Sequence, residues 1–182
     1  MSAQANRPLN WNVLTVSAGS AERTEHQLLP SKRAREIGGR VVALTMPIFA
    51  DQNMSLATFC ALWLIPGWHA ILSLPPKEPA AKLNDPAVRE EMQLAAKGTA
   101  FERLADFSNY RIGDTVAPQN KEYEGRLVVD IAKERGADPS DMLLEIAEAD
   151  DFATVLWPLP VGDTDVDWAA RRDLWEHDDV LL

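Results

Sequence analysis

The side chains best suited to hydrolytic chemistry in this chain are three histidines, one cysteine and scattered carboxylates. A zinc-assisted amide hydrolase needs three or four His, Asp or Cys ligands on one ion, and a carboxylate to move the proton. His26, His69 and His177 stand far apart, and none sits in a His-x-His or HExxH arrangement. His26 falls early in a predicted helix and faces solvent. His69, among Trp68, Ala70 and Ile71, reads as a packed histidine, and His177 lies in a helix-to-strand turn. Cys60 belongs to the apolar run Phe59-Cys60-Ala61-Leu62-Trp63 and reads as a small core residue rather than a nucleophile. No GxSxG elbow, glycine-rich phosphate loop or paired-carboxylate motif is present. Polar groups do collect just after two predicted strands: Asn12, Thr15 and Ser17, then Gln52, Asn53 and Ser55. Such side chains can hydrogen-bond a carboxylate or an acyl amide, and ordinary loop capping accounts for them equally. Trp63 and Trp68 can wall an apolar acyl pocket, although aromatics at this spacing also fill cores.

The elements that must position these groups begin with a strand over 9–16, where Asn10 and Asn12 alternate with Leu9, Trp11 and Val13. A helix follows over 24–37, interrupted or restarted near Pro30 and Ser31, and Gly38-Gly39 ends it. The nearly continuous apolar run 40–46 is the next strand. Strand, helix and strand make a βαβ unit, whose parallel strands are expected to be buried on both faces. From about 56 to about 119 the alternation breaks. That stretch holds prolines at 66, 75, 76, 79 and 86, a helix over 86–97, a shorter helix from near Thr99 and a short strand within 109–116.

Residues 120–150 spell two amphipathic helices. The first turns Leu127, Val128, Ile131 and Ala132 inward and is stopped by Gly136. The second starts at an Asp138 N-cap, with Pro139 at its first position and Asp141 at its third, and buries Met142, Leu143, Ile146 and Ala147. A strand or helical turn is expected over 152–159. A helix over 163–176 turns Val166, Ala169, Ala170 and Leu174 inward, and 178–182 begins another buried strand.

The length of 182 residues suits one domain with a sizeable insertion. The formal net charge of -10 makes nucleic acid and anionic membrane surfaces poor partners, because nothing would neutralise phosphates. The late acidic runs (148, 150 and 151; 163, 165 and 167) read as a solvated face and helix N-terminal acids. A lone cysteine points to a reducing compartment. With no apolar run of transmembrane length and no basic-then-apolar leader, a cytoplasmic location is expected.

The stretch Glu134-Arg135-Gly136-Ala137-Asp138-Pro139, inside NKEYEGRLVVDIAKERGADPSDMLLEIAEAD, closely resembles a segment of the N-acyl-D-amino-acid deacylases (D-aminoacylases) of the amidohydrolase superfamily. Weaker likenesses occur in the family's order. RPLNWNVLTVSAG and VVALTMPIFADQNMSLATFCALWLIPGW are similar to consecutive family strands with a substrate loop. LNDPAVREEM resembles an insertion helix, and HDDVLL resembles the approach to the last barrel strand.

The resemblance implies an α/β fold: a partial (β/α) TIM-barrel segment with a mainly helical insertion. Barrel units would cover 1–56 and 120–182, and the insertion 57–119. The implied activity is metal-dependent hydrolysis of a C–N amide bond in a small substrate. In a barrel, function collects at the C-terminal ends of strands, so Asn12, Thr15, Ser17, Gln52, Asn53 and Ser55 are the expected substrate contacts. The insertion would act as a lid. Zinc is expected in the full-length parent and not in this segment. A family strand that often ends in a histidine ligand here reads Asn12-Val13-Leu14-Thr15, and the family's Gly-Ser-Asp continuation lies beyond Leu182. No residue is therefore assigned a catalytic or metal-binding role. The alternative reading is a catalytically inactive partial barrel, acting as a folding or association unit through exposed strand edges at 9–16 or 180–182.

Overall fold

The computed structural model describes residues 1–16, 18–48, 51–75 and 77–182. In chain order the helices are α1 (Ser2–Ala5), α2 (Ala21–Glu36), α3 (His69–Leu72), α4 (Lys77–Leu83), α5 (Pro86–Ala96), α6 (Glu102–Ala105), α7 (Val128–Arg135), α8 (Pro139–Ala149) and α9 (Asp165–Trp175). The strands are β1 (Leu9–Asn12), β2 (Val41–Leu44), β3 (Tyr110–Ile112), β4 (Leu156–Pro158) and β5 (Val180–Leu181). The chain is mixed α/β with a small parallel sheet. It divides into two compact units, one of residues 1–50 with 160–182 and one of residues 51–159.

The first unit contains the βαβ arrangement. β1 pairs parallel with β2, Leu9 opposite Val41 through Asn12 opposite Leu44, and α2 connects them. β5 adds in parallel on the other side of β2, with Ala43 opposite Val180. The sheet order β1-β2-β5 makes β2 the central strand. Consecutive residues Val42 and Ala43 are both buried, so both faces of β2 are covered, as expected of a parallel strand between helices. β1 differs. Its ladder is four residues long, and Leu9 and Val13 remain exposed because it lies at the sheet edge. Beyond that ladder the Leu14 N–H still donates to the Leu44 carbonyl at 2.8 Å. The core of this unit gathers Leu14, Ala43, Leu174 and Val180, with Trp11, Val16 and Leu28 against it.

Two local expectations are corrected in this unit. α2 runs unbroken through Pro30, with Ser31 and Ala34 buried and Leu28 against the core. A mid-helix proline removes one backbone hydrogen bond, and packing of the following turn holds the helix through it. In α9 Val166 is exposed, and Asp167, Arg171 and Leu174 are the buried positions. Asp167 explains that rotation. It closes a capping box with Thr164, and its Oδ1 accepts from the Ala18 N–H at 2.7 Å. The hydrogen-bonded acid, not the valine, therefore faces inward.

The second unit is built on a larger core. The antiparallel pair β3–β4 aligns Tyr110 with Pro158 and Ile112 with Leu156, and Met54 bridges to Leu156. α7 and α8 pack beside it, burying Val128, Ile131 and Ala132 from one helix and Met142, Leu143, Ile146 and Ala147 from the other. Gly136 adopts φ 67°, the left-handed conformation that ends α7 without a Cβ penalty. Asp138 accepts from the Ser140 N–H at 2.8 Å and caps α8. Trp68, Phe107 and Tyr110 meet edge to face, with centroids 6.0 and 5.7 Å apart.

Candidate functional site

The six polar residues expected at strand ends do not form one cluster in either unit. Asn12 is the last residue of β1 and Thr15 follows the strand in the first unit, and both are exposed. Ser17 lies outside the described residues. Gln52, Asn53 and Ser55 belong to the second unit, where they line one open recess of about 410 Å³ with Thr58, Phe59 and Cys60.

The backbone explains how that recess is held. Met54 exchanges both backbone bonds with Leu156 at 2.9 and 2.8 Å, an isolated antiparallel bridge that anchors the loop 52–55 against β4. Ser55 is committed to the loop itself. Its Oγ donates to the Phe152 carbonyl at 2.8 Å and accepts from the Ala57 N–H at 3.1 Å. Gln52 and Asn53 are exposed and present amide groups to the recess. Phe59 stands on its rim, 68% exposed, with its ring edge to face on Trp63. The recess therefore offers neutral donors and acceptors beside an aromatic wall. Such a surface can hydrogen-bond an amide or carboxylate, and among its described lining residues the one acidic proton is that of the buried Cys60 thiol.

The histidines and the cysteine have structural settings. His69 starts the short α3, is exposed, and meets the Trp63 ring at 5.3 Å. His177 Nδ1 accepts from the Asp179 N–H at 3.1 Å and shapes the turn into β5. Cys60 is buried in the core of the second unit, and burial pushes its thiol up, away from the thiolate that nucleophilic chemistry needs. Trp68, 2% exposed, is a core residue whose Nε1–H donates to the Met92 carbonyl at 2.8 Å. Among the described residues no group of three or more His, Cys, Asp or Glu is placed to hold a metal ion. The described residues do not fit a zinc centre by themselves, and no chemical step is derived through one.

Perturbed acids often mark active sites, but here each has a local structural cause. The Lys121 ammonium and the Thr115 backbone and hydroxyl donors hold the Glu124 carboxyl down at about 2. Asp167 is lowered by the Thr164 hydroxyl and the Ala18 N–H. Tyr110 is raised by burial while its hydroxyl donates to the Leu104 carbonyl at 2.7 Å. Asp150 is the most deeply embedded of the carboxylates. Burial would raise it, yet hydrogen-bond donors outweigh burial and lower it: the Thr154 hydroxyl at 2.6 Å, the Ala117 N–H at 2.7 Å, the Asn120 amide at 2.8 Å and, more weakly, the Val116 N–H. Asn120 also donates to the Ile146 carbonyl. This network ties the loop before residue 120 to the end of α8. Sequence reading missed it because it joins two segments, 117–120 and 150–154, that lie about thirty residues apart and share no periodic pattern.

Among the described residues no helix is long and apolar enough to cross a membrane. Comparisons with protein-family models, curated proteins and solved structures found no match to this chain.

Proposed function

We propose that this chain is part of a metal-dependent amidohydrolase resembling the N-acyl-D-amino-acid deacylases, which hydrolyses a C–N amide bond in a small substrate. The observation that carries the reading is the parallel order β1-β2-β5, with a helix between β1 and β2. Barrel units of this kind present ligand-contacting groups at and beyond the C-terminal ends of their strands; Asn12 is the last residue of β1 and Thr15 lies just past it. The wording around Gly136-Ala137-Asp138-Pro139 supports the same family. In this reading Asn12 and Thr15 of the first unit are substrate-contacting groups at the end of β1. Within the second unit, the amides of Gln52 and Asn53 beside Phe59 line a recess of their own. Zinc belongs to the parent and is held by ligands outside this chain.

The test is the reading frame around this coding segment and the activity of its whole product. The expected result is an upstream His-x-His strand, a Gly-Ser-Asp downstream, and hydrolysis of N-acetyl-D-amino acids over their L forms that a chelator abolishes. A frame lacking both motifs, or a product inert to such amides with zinc bound, refutes it. Zinc bound one-to-one by this chain alone would refute the assignment of its ligands to other segments.

A second reading, an inactive partial barrel that associates through its edges, is favoured by one observation. β1 and β5 are the outer strands of the three-stranded sheet, with Leu9, Val13, Leu181 and Leu182 exposed around them. Unpaired parallel edges with apolar side chains invite pairing with another strand.

A further inference from the structure

The second unit contains a more enclosed recess, of about 270 Å³, between α5, the start of α8 and the segment 68–83. Its floor is apolar. Trp68, Leu72, Leu83 and Phe107 are all buried, and the half-buried Leu144 closes one side. The floor is also pre-organised. The Trp68 indole is pinned by its bond to the Met92 carbonyl, and the Phe107 ring meets it edge to face at 6.0 Å. An apolar cavity of about 150 Å³ suffices to bind benzene, so this recess accommodates an aromatic ring with a short chain.

The mouth has the opposite character. Arg89, Glu90, Asp138 and Asp141 stand around it. The Arg89 guanidinium is already committed, donating to the Leu83 carbonyl at 2.6 Å and pairing with Asp141 at 3.1 Å. Asp138 and Glu90 remain, so among the described residues the mouth is net negative. The positive end of α8 offsets part of the Asp138 charge, which leaves Glu90 as the carboxylate open to a ligand.

An apolar floor under an acidic rim selects a ligand that is hydrophobic at one end and cationic at the other. We propose that this recess binds a small primary aryl-alkyl amine, with the ring on the Trp68–Phe107 floor and the ammonium at the Glu90 side of the mouth. An anion such as an N-acyl amino acid is disfavoured there. The site is therefore separate from the amide-hydrolysing reading, and the two stand or fall on different measurements.

The test is a titration of the full chain, followed by the Trp68 indole N–H and the Ser140 amide in heteronuclear NMR spectra. Three probes share one 2-phenylethyl group: 2-phenylethylamine, its isostere 2-phenylethanol, and 3-phenylpropanoate. A carboxylate near 4 Å contributes about fivefold to binding even at bulk-water screening. The amine is expected to saturate both resonances about fivefold more tightly than the alcohol, with the acid weakest. Glu90→Gln, at an exposed position, should remove most of the amine's advantage and leave the alcohol unchanged. Leu144→Trp should fill the recess and abolish binding of both. Acid binding as well as amine, shifts that cluster away from Trp68, or an amine affinity indifferent to Glu90→Gln overturns the proposal. The Glu90 variant decides the matter if Leu144→Trp does not fold.

Discussion

Replacing Asp150 tests whether the second unit is held by a buried polar knot as well as by its apolar core. Asp150 is 3% exposed, and its two oxygens accept from the Thr154 hydroxyl, the Ala117 N–H and the Asn120 amide. In Asp150→Ala, Asn120 keeps its bond to the Ile146 carbonyl, but Ala117 and Thr154 lose this acceptor. Each buried donor left unsatisfied costs about 1–3 kcal/mol, and bonds to a charged acceptor lie at the upper end. The expected loss is about 3–5 kcal/mol, a large share of the roughly 5–15 kcal/mol that domains possess.

Asp150→Asn retains one carbonyl oxygen for Ala117 and Asn120 and lets the Thr154 hydroxyl rotate to accept, so about 1–2 kcal/mol is expected. Urea unfolding followed by tryptophan fluorescence measures both, with the slope checked for constancy. The acid limb gives an independent reading. The folded carboxyl titrates below its ordinary value of 3.8, so the unfolded chain binds the proton more readily. The contribution is complete above about pH 5 and is lost as pH falls through 3.8 and below. Asp150→Asn should flatten that part of the stability profile. An Asp150→Ala variant within about 0.5 kcal/mol of the parent, or an asparagine as harmful as alanine, would refute the network argument.

Three further outcomes are expected. Gly113→Ala places a Cβ 2.6 Å from the Trp157 indole nitrogen and 3.0 Å from a Val155 methyl. It should cost about 1–3 kcal/mol and shift Trp157 emission, and an unchanged melting curve would contradict the close approach. Asp138→Ala removes the α8 cap and should cost about 1 kcal/mol in urea titration, while Ser140→Ala, whose backbone N–H is the donor, should cost much less. Sedimentation velocity should show the isolated chain associating with concentration, and a Leu9→Lys change on β1 should weaken that association; a clean monomer at high concentration would count against edge pairing.

How much of this was legible in the sequence depended on whether the signal was local. α7 and α8 could be read nearly residue by residue, because Gly136, Asp138 and Pro139 act through their own backbone neighbourhood. The βαβ unit was legible from the apolar run of β2, but the length of β1 was not, since an edge strand needs no partner on its outer side. The inward face of α9 was misread at Val166 because apolar periodicity cannot register an acid such as Asp167 that is bonded to a distant backbone. The polarity of Gln52 and Asn53 was plain in the sequence, but their convergence on one recess with Phe59 and Cys60 was not. Nor was the commitment of Ser55 to Phe152, 97 residues away. The 270 Å³ recess arises where segments spread from Leu56 to Leu144 meet, and no spacing rule in the sequence encodes that meeting.

The two cores are unequal. Among the described residues the packed cluster of the first unit has four buried side chains, against twenty-three in that of the second. Opening free energy follows buried apolar contact, so amide protons of β1 and β5 exchange from a shallow local opening, whereas those of α7 and α8 wait for collapse of the larger unit. A single melting temperature then describes neither unit. Trp11 reports on the part that yields first, and Trp68 on the part that persists.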